Sequence, residues 1–363
     1  MPDWRTLREG FPALREWTYL NTATYGQTPL RAQAAMREHM ERRDRLACSD
    51  FLNWFDDADA IRRNLGRLTG CHEDDIAFLP TASAALGLLI GGIDWKPGDR
   101  VVTLRGEFPN NLYYPAMLPG VEFVACDWAD FRQAVNDRTR LVALSTVNYS
   151  TGFRAPVEEI AEDLRRRGIL FYVDGTQSVG ALRIDVGAMR PSMMAVDAYK
   201  WMLTPNGAGF VYVDPEVRDW LRPNCIGWRS HVDWRSVDNL HQGAPVLSAR
   251  AEKYEGGMLP FPAMCAMNAV IETMLEIGPE RIERRVLELA DELRARLRRR
   301  GALILHEGSQ IVAARFDGVD ASDLALRLKE RRVLVSARYG ALRVSPHFYN
   351  DETDLDVFER ALD

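Results

Sequence analysis

Lys200 follows a short apolar run and precedes a turn rich in proline and glycine, in the stretch 197–209 (DAYKWMLTPNGAG). A lysine so placed lies at the edge of a core, where burial disfavours the charged form and lowers the pKa. A neutral amine of that kind adds to an aldehyde and forms an imine. Read alone, the residue is equally an ordinary loop lysine. Asp174 changes the balance. It closes the apolar run 169–173 (ILFYV), and a carboxylate at the carboxyl end of a parallel strand faces the crevice where ligands bind. There it can pair with a protonated pyridine nitrogen and make the ring an electron sink for a carbanion. Its plainer role is a helix N-cap. Gln177, a little further on, can donate to a ring hydroxyl.

Three more segments carry groups of the same kind. Residues 78–86 (FLPTASAAL) run from a strand end into a helix, with hydroxyls on Thr81 and Ser83. The unpaired N–H groups and dipole of a helix N-terminus suit a phosphate, although an ordinary cap has the same sequence. In 105–114 (RGEFPNNLYY), Phe108 offers a face to a flat ring or fills a core. In 144–156 (LSTVNYSTGFRAP), Asn148 can reach a ring hydroxyl or a carboxylate. Each segment follows an expected strand, so all of them gather at one edge of a sheet.

That sheet is legible in the alternation of short β-branched runs with amphipathic stretches. Strands are expected at 100–104, 121–125, 141–145, 169–173 and 209–213, with a helix at 156–167 (PVEEIAEDLRRR). Strand, helix, strand at this spacing predicts an α/β fold with a mostly parallel sheet covered on both faces. After residue 256 come two long helices, 261–277 and 279–300. Short strands near 311–316 and 342–345 then flank a helix at 321–331, and a last helix spans 352–362. The prediction is a large domain over 16–255 and a smaller α+β domain over 256–363, completed by residues 1–15. A chain of 363 residues, 47% hydrophobic, can bury both cores.

The formal charge of −6 argues against nucleic acid as the partner, since such a surface needs an excess of Lys and Arg. The basic run 294–300 (RARLRRR) ends an expected helix and reads as a solvated face that complements the helix dipole. The N-terminus lacks an apolar signal core, and no apolar run reaches the ~18 residues of a membrane span. Five widely spaced cysteines fit a reducing cytoplasm and give no metal-ligand spacing. The triplet 71–73 (CHE) follows Gly70, a helix terminator, and reads as a turn.

In order and spacing, residues 19–29 (YLNTATYGQTP), 174–180 (DGTQSVG), 197–209, 254–262 (YEGGMLPFP) and 342–350 (LRVSPHFYN) resemble the class V aminotransferase family of fold-type-I pyridoxal-phosphate enzymes. The resemblance covers nearly the whole chain. The family includes cysteine desulfurases, kynureninases, isopenicillin N epimerase-like proteins, aminotransferases and C–S lyases. The resemblance implies a seven-stranded sheet, pyridoxal 5'-phosphate as cofactor, and a homodimer whose active sites lie near the interface. It also implies roles. Lys200 would be the Schiff-base lysine and proton shuttle, and Asp174 the partner of the pyridinium nitrogen. Ala82 and Ser83 would hold the phosphate through backbone N–H groups, with Tyr199 bonding it as well. Phe108 would stack on the ring, and Asn148 and Gln177 would flank its hydroxyl. Arg343 would grip the substrate α-carboxylate with a two-pronged bond. Trp228, in 227–231 (GWRSH), and Gly257 would help complete a site at the dimer interface. Met258 stands where many relatives have Thr, which leaves any phosphate contact from the partner to backbone near Gly257. Arg229 and His231 are either pocket or surface residues.

The implied activity is transformation of an amino acid or an amino-acid conjugate through an external aldimine and a carbanion. Transamination comes first. β-Elimination or C–S cleavage of a cysteine conjugate, kynureninase-like cleavage and then epimerisation are the alternatives. Cysteine desulfuration is disfavoured, because it needs a nucleophilic cysteine on a C-terminal loop. Residues 329–343 contain none, and the last cysteine is Cys265, within an expected helix.

Overall fold

The computed structural model describes residues 3–240 and 243–363. Its strands in chain order are β1 (Thr18–Tyr19), β2 (Ile76–Phe78), β3 (Arg100–Leu104), β4 (Glu122–Cys126), β5 (Thr139–Ser145), β6 (Leu170–Asp174), β7 (Met193–Asp197), β8 (Gly209–Val213), β9 (Leu303–Ile304), β10 (Val312–Arg315), β11 (Val333–Leu334), β12 (Ser336–Arg338) and β13 (Ala341–Val344). Seven of them form the main sheet in the order β2-β8-β7-β6-β5-β3-β4. The pairs β3–β4, β3–β5, β5–β6 and β6–β7 are parallel, while β8 runs antiparallel to both β7 and β2. The expected α/β class and mostly parallel sheet are therefore present, with one reversed strand that the sequence pattern did not reveal.

Alternation along the strands divides the core between the two faces of the sheet. Leu141, Ala143 and Tyr172 pack with Ala85 and Leu89 of the helix Ala82–Gly92 on one face. Val142, Leu144, Phe171 and Val173 pack on the other with Ile160 and Leu164. Those last two lie on the helix Val157–Arg166, which buries Val157, Ile160, Ala161 and Leu164 at helical spacing. Its Glu158 and Glu159 lie in the first turn and Arg165 and Arg166 in the last, as the dipole favours. Burial of both faces is why the central strands read as continuous apolar runs.

The C-terminal sheet has the order β12-β13-β10-β9, with antiparallel pairs. It packs on Leu289, Leu293, Leu297, Leu324, Leu328 and Phe358 in a separate core. The parallel pair β1–β11 and the bridge Asn21↔Ser345 tie the N-terminal segment to this unit. The helix Phe261–Ile277 follows residue 256, yet it buries Phe261, Met264, Met267 and Ile271 in the larger core, with Trp54 and Phe55.

The basic run near residue 294 departs from expectation. Arg294 is 1% exposed rather than solvated, and it pairs with Asp291 at 2.7 Å and donates to the carbonyls of His306 and Ser309. One face of the helix Pro279–Arg299 must turn inward, and the arginine on that face is retained by capping a neighbouring loop.

Candidate functional site

Lys200 lies in the tight loop between β7 and β8. Hydrogen bonds hold the loop at both ends: Ala198 N–H to Ala208 O at 3.3 Å, Leu203 N–H to Lys200 O at 3.1 Å and Thr204 N–H to Ala198 O at 3.2 Å. From the far N-terminal segment, Gly26 N–H donates to Tyr199 O at 2.8 Å. A Cβ on Gly26 would stand 2.0 Å from the carbonyl oxygen of Lys200, so only glycine permits this approach. Lys200 is 7% exposed. Its amine sits 5.2 Å from the ring centroid of Phe108 and 5.5 Å from that of Tyr199. Among the described residues it has no hydrogen-bond or ion-pair partner. Burial lowers its pKa, and the nearby charges of Asp174 and Asp197 only partly oppose the shift.

Asp174 is the last residue of β6. Its Oδ1 accepts from Thr176 N–H at 2.9 Å, and Oδ2 has no protein donor among the described residues. The sheet thus brings a buried amine and a half-engaged carboxylate to one edge, with the Phe108 ring beside the amine. Phe108 immediately precedes the helix Pro109–Ala116 and meets Tyr149 edge-on at 5.1 Å.

Ser83 N–H, in the first turn of the helix Ala82–Gly92, has no protein acceptor among the described residues, whereas Thr81 caps the helix by accepting from Ala84 N–H at 3.1 Å. Ala82 N–H is already engaged. It donates to Asp197 Oδ1 at 2.8 Å, so a carboxylate occupies the cup expected to receive phosphate. Burial, reinforced by Asp174, pushes the Asp197 carboxyl up to about 6. Tyr199 packs on the ring of Tyr25 at 5.1 Å, and burial pushes its phenol up to about 12.

Two other expected contacts are more occupied than the sequence implied. Gln177 donates to Ala23 O at 3.1 Å and accepts from Trp201 Nε1 at 2.7 Å, leaving one amide hydrogen for a ligand. Asn148 donates to Gly106 O at 2.9 Å, and its Oδ1 gathers the backbone N–H groups of Ser150 and Thr151. Both side chains shape the loops around the site.

Arg343, on β13, is 1% exposed. Its guanidinium donates to Ser336 Oγ at 3.1 Å, to Tyr149 O at 2.5 Å and to Thr24 Oγ1. All three acceptors are neutral, and burial together with Arg338 lowers its pKa to about 9. A buried cation without a counter-charge is a costly arrangement that an anionic ligand relieves.

Trp228 and Gly257 lie elsewhere in the chain. Trp228 packs on Phe55 and Trp234, and Gly257 O accepts from Arg229 at 3.2 Å. Arg229 is fully buried, paired with Glu255 at 2.7 Å and seated over the rings of Phe55 and Trp234. Within one chain these residues brace each other, and none of their contacts is with Lys200. Met258 is exposed.

Residue patterns did not single out Asp197, Glu107 or His347. Glu107 is buried; it accepts from Ser145 N–H at 2.8 Å and Asn111 Nδ2 at 3.1 Å, tying the loop after β3 to the end of β5. Burial raises its pKa. His347 Nε2 bonds Trp201 O at 2.9 Å while Nδ1 accepts from Phe348 N–H at 2.7 Å, so a neutral imidazole joins the C-terminal unit to the Lys200 loop. Asp197 was in plain view beside Lys200, but nothing local reveals that it meets residue 82.

These groups fit a flat, phosphorylated pyridine aldehyde. There is a buried amine for the aldehyde, a carboxylate with a free oxygen for the ring nitrogen, an aromatic face, and a helix N-terminus with an open N–H.

The sequence profile of the aminotransferase class-V family matches residues 53–358. A probable cysteine desulfurase of Methanothermobacter thermautotrophicus is 25% identical, with 98% of this chain and 96% of that protein aligned. An uncharacterized aminotransferase of Bacillus subtilis, YcbU, is 26% identical over 96% of this chain and 94% of its own length. The solved structure of the cystine C–S lyase C-DES with its product, cysteine persulfide, superposes with a TM-score of 0.88 at 20% identity, covering 97% of this chain and 99% of that one.

Proposed function

The chain belongs to the class-V aminotransferase family, and on that premise we propose that it transforms an amino acid at Lys200, with transamination as the first reading. The cofactor is pyridoxal phosphate. When bound, it supplies an aldehyde that condenses with amines and a ring that accepts the electron pair released at the α-carbon. The rest of the work falls to this chain's residues. The lowered pKa of Lys200 favours a neutral amine, able both to engage the aldehyde and to take a proton from the substrate α-carbon. Asp174 Oδ2 would hold the proton of the ring nitrogen. Phe108 would cover one ring face, and Ser83 N–H would receive phosphate. Arg343 would pair with the α-carboxylate in place of its neutral acceptors and so orient the substrate's Cα–H bond relative to Lys200. The observation that carries this reading is the buried Lys200 amine, without a hydrogen-bond or ion-pair partner among the described residues, beside Phe108 and within the field of Asp174.

Desulfuration is disfavoured by the placement of the thiols. Cys265 lies on the helix Phe261–Ile277, where burial pushes its thiol up to about 11, and no cysteine occurs between residues 329 and 343. Such a thiol makes a poor persulfide carrier. A lyase acting on a β-substituted amino acid is the second reading; it uses the same amine and the same carboxylate clamp.

The test mixes holoenzyme with single amino acids and cysteine conjugates, without a keto acid. Stoichiometric conversion to pyridoxamine phosphate that then stops supports transamination. Product accumulating over many turnovers with the cofactor unchanged overturns it in favour of the lyase. The proposed assembly is a homodimer with Trp228 and Gly257 near the interface. A monomer by light scattering at full cofactor occupancy refutes it.

A further inference from the structure

A second arginine, Arg338, lies beside Arg343. β12 and β13 pair antiparallel with Ser336 opposite Arg343 and Arg338 opposite Ala341. Side chains two apart on a strand share a face, so Ser336 and Arg338 project with Arg343. The contacts agree. Arg343 donates to Thr24 Oγ1, and Arg338 Nη2 stands 3.5 Å from the same hydroxyl. Among the described residues, the only closer acceptor of Arg338 is the carbonyl of its neighbour, Ala337, at 2.7 Å. Neither arginine has a carboxylate partner among the described residues. Most buried or half-buried arginines here do have one, such as Arg62 with Glu255 and Arg294 with Asp291. The positive charge of Arg338 also reaches Lys200 and Arg343.

Two guanidinium groups so close repel each other unless anions sit between or beside them. The α-carboxylate of an amino acid neutralises one. The other is left partly desolvated and unpaired, which disfavours a substrate with a neutral side chain. Beside the pair lie the hydroxyls of Tyr149 and Tyr339, which bond each other at 2.7 Å and can turn toward an anion.

We propose that Arg338 is a specificity residue that binds a second anionic group, a carboxylate or sulfinate, at the side-chain end of the substrate. The inference rests on the reading of Arg343 as the α-carboxylate clamp. It narrows the substrate to acidic amino acids.

The test titrates holoenzyme with two unreactive acids of equal length, succinate and butyrate, following the absorbance of the bound cofactor and the heat of binding. The wild type binds succinate more tightly by about tenfold to a hundredfold, the range of one charge-assisted pair. R338Q loses that preference and binds butyrate as before, within about twofold. R338K, which keeps the charge without the fork, retains part of it. Thermal melting confirms that each variant is folded. Equal weakening of both acids in R338Q places Arg338 on the α-carboxylate and overturns the proposal, as does a wild type that does not distinguish the acids. L-Aspartate and L-alanine then separate this inference from the functional reading. If succinate binds through Arg338 but neither amino acid changes the cofactor spectrum, the functional reading fails and the anion site stands.

Discussion

Replacing Asp197 with asparagine tests how the cofactor cup is built. The carboxylate accepts from Ala82 N–H, and its pKa stands at about 6 instead of the usual 3.8 because burial and Asp174 disfavour the charge. The sign follows from linkage. The folded state binds this proton more tightly than the unfolded chain, so stability falls as pH rises from about 4 to about 6 and stays lower above that. The shift corresponds to roughly 3 kcal/mol at full strength, and about 2 kcal/mol after allowing for solvent at a half-buried group. Asparagine keeps the acceptor for Ala82 N–H and removes the charge. D197N apoprotein should therefore melt several degrees higher than wild type at pH 8 and show little difference at pH 4. Cofactor affinity should move the same way. Phosphate arriving at Ser83 and Ala82 meets a carboxylate in the wild type above pH 6, and a neutral amide in the variant. Fluorescence titration of apoprotein with pyridoxal phosphate should show D197N binding more tightly at pH 8 by about tenfold or more. The gap should close toward pH 5.5, where the wild-type group takes up its proton. Equal affinities at pH 8, with no gain in melting temperature, would refute the idea that Asp197 opposes phosphate.

Two further outcomes follow from the same packing. Burial lowers the His347 pKa to about 4, and the neutral ring bonds Trp201 O. Its stabilisation is complete above about 6.5 and is lost as pH falls toward 4, by up to roughly 3 kcal/mol; H347Q should show a flatter acid limb in urea melts between pH 6.5 and 4, and an unchanged limb would remove His347 from the account. A Cβ at Gly26 would collide with Lys200 O, so G26A should lower stability by about 1–3 kcal/mol and weaken cofactor binding at least tenfold; a variant with wild-type cofactor affinity would show that the approach of this segment does not position Lys200.

The frame of the molecule was legible because its strands are buried on both faces. The runs expected at 100–104 and 209–213 are β3 and β8 to the residue, and Asp174 does end β6. The reversal of β8 was not legible, since an apolar run carries no direction. Thr81 reads as a cap and is one. Of the candidate site, the features marked by local sequence were legible, as with the place of Lys200 just after its strand. Its long-range contacts were not, because Asp197 meets Ala82 and Gly26 meets Lys200 across more than a hundred residues. Arg338 escaped notice for a related reason. Only the β12–β13 register puts it on the face of Arg343. Arg294 was read as solvated because periodicity shows which side of a helix is apolar, not which arginine is needed to cap a buried loop.

The central claim is that the Lys200 amine carries the cofactor. Holoenzyme treated with borohydride, digested and sequenced by mass spectrometry should carry the pyridoxyl group on Lys200, and K200A should bind the cofactor without any fixable adduct. A pyridoxyl group on another lysine, or one that survives in K200A, would contradict the account.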